Sequence, residues 1–355
     1  MPETIDYPHD SAQERLIPFD AIREFLVNVL ILKGMYEAEA EIGVDRILAA
    51  DLRGIYSHGC IAVNRYLKAM DDGDIDPRAS SITLNETPAM AIIDAGRGLG
   101  HVAATRGMQL AIKKANDVGT GTVVVKNGQH LGACSMYVLL AIEQGMIGYC
   151  TTSTGGATVA AYGSRQAAVA NNAFAWGIPT REGPPLVLDM ACAVSSWGKI
   201  EALKTYGLPI PEGWALDNNG SPTTNAADAQ TLLPAAGARG YGLALVSSVL
   251  AGPLAGRRMP LQKTGTPEGN GSDHFFQAIN IEHFAEPDHF HRHLDATISE
   301  IRKMEPSEGF DQVRLPGELE WEREEAAKIN GIPLHRDHIE VLDRIAEENK
   351  IETTW

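Results

Sequence analysis

The sequence predicts a folded chain of mixed helices and strands with helical ends, and three observations carry this. Near the N-terminus, Ile22, Phe25, Leu26, Val29 and Leu30 recur at helical spacing. From about residue 88, short β-branched runs such as Val123-Val124-Val125 alternate with helical stretches. Near the C-terminus, Glu318–Ile329 and Arg336–Asn349 are helical again.

Taken in order, Pro18–Lys33 and Glu37–Leu52 form a helical hairpin broken at Gly34 and ended by Gly54. A polar stretch, Tyr56-Ser57-His58-Gly59, follows, then a short helix at Asn64–Met70 and turn residues at Asp71–Pro77. The central part reads as strand Ala89–Asp94, helix Ala103–Ala115, strand Gly121–Lys126, helix Gly132–Gln144 and strand Ile147–Thr152. Strand Pro185–Leu188 ends at Asp189, and helix Ala191–Thr205 comes next. Residues 207–238 are rich in Pro, Gly, Asn and Asp and read as a long irregular excursion. Tyr241–Leu254 is apolar nearly all round, the pattern of a helix buried inside a domain. A Gly-rich loop at Gly265–Ser272, a strand at Phe275–Ile279 and a helix at Asp288–Lys303 complete the centre. There is no internal repeat. Pattern alone leaves the central part either doubly wound or α+β.

Composition narrows the function. The 355 residues are 44% hydrophobic and 21% charged, which excludes disordered and collagen-like architectures. The length suits two domains or one large one. The net charge of −16 repels phosphate backbones and anionic lipid, so neither nucleic acid nor membrane is expected as a partner. It still leaves room for a local basic pocket that takes a small anion. No apolar run reaches the ~18 residues of a membrane helix. Met1–Glu14 is polar and acidic, without the basic and apolar regions of a signal peptide, so a cytoplasmic protein is expected. Cys60, Cys134, Cys150 and Cys192 form no CxxC pair or zinc-knuckle spacing and are expected to be reduced and mostly buried.

Several segments invite chemistry, and each has a plainer reading. Gly96-Arg97-Gly98-Leu99-Gly100 has GxGxG spacing rather than GxGxxG. The next strand ends in Lys126-Asn127 rather than an acidic residue, so a tight turn is favoured over a Rossmann fingerprint. His58, just past a helix end and beside Gly59, can reach a cleft and pass protons near neutral pH. Alone, it is more often a surface or capping histidine. Gln129-His130-Leu131-Gly132 opens a helix whose N–H groups can hold a phosphate or carboxylate. Asp189 reads equally as partner to a histidine or cofactor hydroxyl and as a helix N-cap. His289, His291 and His293, like His335 and His338, lack metal-site spacing and read as solvated helix, so no metal is expected. A hydrolase built on Ser57, His58 and Asp189 lacks the GxSxG elbow.

Together the segments are more specific. Asp51-Leu52-Arg53-Gly54, Ser57-His58-Gly59, Arg65-Tyr66, Asn127 with His130-Leu131-Gly132, Val187-Leu188-Asp189-Met190-Ala191 and Gly198-Lys199-Ile200 occur in that order. Pro211-Glu212-Gly213-Trp214-Ala215, Gly240-Tyr241-Gly242-Leu243-Ala244-Leu245 and Arg314-Leu315-Pro316-Gly317-Glu318 follow. In this the chain, from about residue 18 to 345, resembles the malate/L-lactate dehydrogenase family of non-Rossmann NAD(P)-dependent oxidoreductases. Relatives include ureidoglycolate, sulfolactate and diketogulonate enzymes and cyclic-imine (piperideine-2-carboxylate) reductases.

The resemblance implies an α+β fold with a mixed, largely antiparallel cofactor sheet. Residues 1–85 and 300–355 would form a helical lobe, and 86–299 the cofactor- and substrate-binding part. It implies a homodimer that uses NAD or NADP on a small 2-hydroxy or 2-keto acid, with cyclic-imine reduction as the alternative activity. A cofactor-binding homologue without turnover is the rival of another class. His58 would donate the proton, Ser57 would orient it, and His130 would sit beside substrate or cofactor. Cofactor contacts would fall at His130, Leu131, Gly132, Ala133, Cys134, Ser153, Asp189, Met190, Ala191, Arg239, Gly240, Gly317 and Glu318. Arg53 and Arg65 would meet the substrate. The chain also departs from the family. Ile55-Tyr56 replace His-Asp, Gln129 replaces Asn, Arg239 replaces Lys, and the arginine expected four residues after the motif histidine is Ala62. The last change implies either a less anionic substrate or another arginine in that role.

Overall fold

The computed structural model describes Pro8 and residues 10–264 and 271–355, so most of the expected Gly-rich loop lies outside the described residues. Helices are α1 (Phe19–Leu32), α2 (Glu37–Leu52), α3 (Val63–Asp71), α4 (Gly100–Val118) and α5 (Ser135–Ile142). Then come α6 (Trp197–Thr205), α7 (Ala238–Leu250), α8 (Pro287–Arg302), α9 (Glu318–Asn330) and α10 (Arg336–Asn349). Strands are β1 (Glu14–Ile17), β2 (Ile82–Glu86), β3 (Met90–Asp94), β4 (Thr120–Gly128), β5 (Met146–Ser153), β6 (Val159–Ala160) and β7 (Ala167–Val169). They continue as β8 (Ala173–Ile178), β9 (Leu186–Ala191), β10 (Ala215–Leu216), β11 (Pro222–Thr223), β12 (Thr231–Leu232), β13 (Ser272–Asn280) and β14 (Ile332–His335).

The main sheet has seven strands in the order β2-β3-β4-β13-β5-β8-β9. Only β3 and β4 run parallel, and the other neighbours are antiparallel. The fold is therefore α+β, not doubly wound. A helix joins this parallel pair, as a crossover requires. Here it is α4, which packs on β4 and β13.

Two large cores result. In the first, α1 buries Ile22, Phe25, Leu26, Val29 and Leu30, the residues whose spacing predicted the helix. They meet Val44, Ile47 and Leu48 of α2 and Ile339, Leu342 and Ile345 of α10. Each such large side chain contributes roughly 1.5–3 kcal/mol by leaving water. β1 pairs antiparallel with β14, Ile17 opposite Ile332, so both ends of the chain close this core. The second core lies between α4, α5 and one sheet face, around Met108, Val123, Val125, Met136, Val138 and Phe276. All four cysteines are free and buried.

Three expectations need correction. α7 is not enclosed: it turns Gly240, Ala244, Ser247 and Ser248 inward and leaves Leu243, Val246 and Val249 about half exposed. Its apolar composition hid a sorting by size, because only small residues fit where the helix lies close to the sheet. The helix expected from Gly132 starts at Ser135, since Gly132 holds a left-handed φ of +79°. The helix expected from Ala191 starts at Trp197, where Ser196 caps the N–H of Lys199.

Candidate active site

The Ser57–His58 turn leaves α2 and is pinned from beneath. Asp51, fully buried, accepts the N–H of Cys60 at 2.7 Å. A Cβ on Gly59 would stand 1.7 Å from Asp51 Oδ1, so only glycine lets the turn sit on this carboxyl. Gly198 of α6 packs against Ser57 from the other side.

Burial pushes the Asp51 carboxyl up to about 7. An unfolded aspartate titrates near 3.9. Between about pH 4 and 7 the folded chain keeps a proton that the unfolded chain has lost, so stability falls as pH rises through that window. Asp51→Asn keeps the acceptor and removes the charge. Its unfolding midpoint should match wild type below about pH 4 and exceed it at pH 8, by the equivalent of up to about 4 kcal/mol at ~1.4 per pKa unit. A midpoint difference that is flat with pH refutes this.

The half-buried His58 ring has its Nδ1 2.8 Å from Ser57 Oγ. It stacks on His130, with centroids 5.5 Å apart and 24° between planes. Burial, then the nearby Arg65 guanidinium, depress His58 to about 4, so its resting form is a neutral base. The same causes hold His130 well below the usual imidazole range.

His130 follows the end of β4. Its Nδ1 lies 2.8 Å from Tyr66 Oη and 3.3 Å from Arg65 Nη2, and it accepts the N–H of Gly132 at 3.3 Å. Arg65 also lies over the Tyr66 ring, 5.2 Å from its centroid. Among the described residues Arg65 has no carboxylate partner; its contacts are Tyr66 and His130.

Two further histidines line the back. His101 of α4 is buried with neither ring nitrogen bonded, and a Cβ on Gly132 would stand 2.7 Å from its Nε2. His274 of β13 donates from Nε2 to the Gln129 carbonyl at 3.1 Å and meets Thr152 Oγ1 at 2.8 Å. Burial lowers both histidines to about 3.

The remaining predicted residues gather around β9. Asp189 sits within that strand rather than at its end, and its carboxylate accepts the N–H of Ser135, tying β9 to the Leu131–Cys134 segment. It caps α5, not the helix that follows it, and burial raises its carboxyl. Leu131 and Cys134 are buried, and Tyr137 Oη donates to the Leu131 carbonyl.

Asn172, unnoticed in the sequence, is a buried hub. Its carbonyl side chain accepts from Thr154 N–H, and its amide donates to Ala244 O at 2.9 Å and Ser248 Oγ at 2.7 Å. Its backbone carbonyl accepts from Cys192. It thus links the segments that carry Ser153, Met190-Ala191 and Arg239-Gly240. Gly317, at φ +92°, caps α9 against Val187 of β9, and Pro316 accepts the Val187 N–H at 3.0 Å.

Two residues are already engaged elsewhere. Glu318 accepts from Arg302 Nε at 2.9 Å and from Leu315 N–H at 2.8 Å. Arg53 is 2% exposed and bonds Glu324 of α9 at 2.7 Å, and its charge also acts on the Asp189 carboxyl. His289 and His293 lie one turn apart on exposed α8, and no group of three metal-ligating residues occurs among the described residues.

Stacked histidines thus lie beside an arginine with no carboxylate partner among the described residues, on an α+β fold whose largely antiparallel sheet is outside the Rossmann type. A malate/L-lactate dehydrogenase profile matches residues 17–343, and the chain belongs to that family. It is 35% identical over 347 residues to a malate dehydrogenase of Pyrococcus horikoshii, covering 95% of this chain and 96% of that one. It is 36% identical over 332 residues to an L-sulfolactate dehydrogenase of Methanocaldococcus jannaschii, covering 92% and 95%. The solved malate dehydrogenase structure from Pyrococcus horikoshii OT3 superposes with a TM-score of 0.89 at 32% identity, covering 98% of this chain and 99% of that one.

Proposed function

We propose that the protein is a nicotinamide-dependent dehydrogenase that interconverts a small 2-hydroxy acid and its 2-keto acid. The observation that carries this is a neutral imidazole able to take a proton, His58, beside an arginine that no carboxylate among the described residues neutralises. A 2-hydroxy acid presents both complements, a hydroxyl for the base and a carboxylate for the guanidinium.

Two features support a dinucleotide as the cofactor. Ser153 Oγ is buried without a partner, and Arg239 stands exposed on the first turn of α7 with no acidic partner among the described residues. The bound nicotinamide supplies or accepts the hydride. His58 takes the hydroxyl proton in oxidation and returns it in reduction. Arg65 fixes the carboxylate, and its charge falls one helical turn beyond Ala62, on the same face.

The names of the relatives support malate-like and sulfolactate-like acids as first candidates. The outward Leu243, Val246 and Val249 of α7 support a homodimer. Four buried free thiols support a cytoplasmic setting. No helix among the described residues is long and apolar enough to cross a membrane.

The test is a panel of 2-keto acids and cyclic imines with NADH and NADPH, read by absorbance and by thermal shift, since bound ligand raises the midpoint. Turnover of a keto acid is the expected result. Binding of both cofactors with oxidation of neither would refute the enzymatic reading.

A further inference from the structure

His58 and His130 lie ring to ring, yet the groups at their Nδ1 atoms differ chemically. At His130 Nδ1 the neighbours are Tyr66 Oη at 2.8 Å, Arg65 Nη2 at 3.3 Å and the Gly132 N–H at 3.3 Å. A guanidinium and a peptide N–H have protons to give and no lone pair to offer. Arg65 also donates to Tyr66 Oη at 3.4 Å, which turns the hydroxyl's own proton toward His130. Every neighbour therefore donates, and Nδ1 must present its lone pair. An imidazolium there would set N–H against N–H. The ring proton of neutral His130 is left on Nε2, which has no protein partner among the described residues.

His58 is the opposite case. Among the described residues its Nδ1 meets Ser57 Oγ alone, at 2.8 Å. A hydroxyl both donates and accepts, so this bond survives whichever protonation state the ring holds.

We propose that His130 is a permanently neutral hydrogen-bond donor through Nε2–H, its tautomer set by the Arg65-to-Tyr66 relay and the Gly132 N–H, and that His58 alone of the pair exchanges the proton. In the reducing direction a bound reduced nicotinamide would supply the hydride for the new C–H bond and be oxidised by that loss. The carbonyl π pair passes to oxygen, and that oxygen takes the proton from His58, which becomes neutral. His130 loses nothing; it holds the oxygen as charge develops. Tyr66 is a positioning residue, since it acts on His130 and not on substrate.

The use of this device rests on the dehydrogenase reading, but the tautomer does not. The ring is surrounded by His58, His101, His274 and Arg65, so the measurement must separate it from them. Two-bond ¹⁵N–¹H spectra of the full chain with labelled histidine would do so from about pH 5.5 to 8.5, with His130→Gln to assign the signal. The expected result is one Nε2–H tautomer throughout. Tyr66→Phe, which removes one hydroxyl, should give mixed tautomers and a lower kcat at nearly unchanged KM. An imidazolium or Nδ1–H signal for His130 at neutral pH overturns the proposal, as does a Tyr66→Phe spectrum identical to wild type. The predicted tautomer in a chain without turnover on any acid would sink the dehydrogenase reading alone.

Discussion

Replacing His58 with Asn is expected to cut turnover by about 10²- to 10⁴-fold while dinucleotide binding stays near wild type. The loss is chemical rather than structural. His58 is only half-buried, and its one hydrogen bond among the described residues goes to its neighbour Ser57. The turn beneath it is held by Asp51 and Cys60, which the substitution does not touch. Single-turnover absorbance with saturating cofactor measures the step directly, and a thermal shift with the same cofactor checks binding. A His58→Asn variant with near-wild-type kcat would remove His58 from the chemistry.

The second large effect is expected at Arg65. A charge-assisted hydrogen bond to a carboxylate contributes about 1.5–3 kcal/mol, so Arg65→Met should lower kcat/KM for a 2-hydroxy acid by about 10- to 150-fold. It should also change the pH profile. The Arg65 charge helps hold His58 near 4, and without it the imidazole rises toward its ordinary value. Oxidation needs the neutral ring, so the acid limb of its profile should move to higher pH. An unchanged limb and an unchanged KM for the acid would show that the arginine found beside the histidines does not replace the one missing at Ala62.

What the sequence made legible follows from what each signal encodes. The helices of the first core could be read because large apolar residues such as Phe25 and Leu26 repeat at 3.6-residue spacing and bury on one face. α7 was misjudged because hydrophobic content records transfer from water, not size, and packing here sorted Ala244 inward and Val246 outward. β1, β2 and β14 passed unseen: they are short, and β1 and β14 gain definition only by pairing with each other across the length of the chain. Within the site, His58 and His130 stood out because each sits in a short glycine-bearing motif. Asn172 carried a weaker signal, a polar residue inside an apolar run, which shows that a buried partner is needed and not which one, and His274 lies at the polar start of its strand. His101 had none, and Tyr66 stood only within the Arg65-Tyr66 segment with no role of its own, because their roles arise from contacts between α3, α4 and the loop after β4.

The antiparallel pairing of β1 with β14 also has a consequence for biogenesis. A ribosome releases the chain from its N-terminal side, so α1 and α2 emerge with Leu26, Val29 and Leu48 unable to meet Ile339 and Leu342 until some three hundred further residues have been translated. The nascent helical hairpin must wait with its greasy side uncovered, a natural client for a holdase, whereas β3, α4 and β4 can assemble on leaving the tunnel. Pulse-labelled protection of the first fifty residues should therefore arrive last, only after the final helix is free.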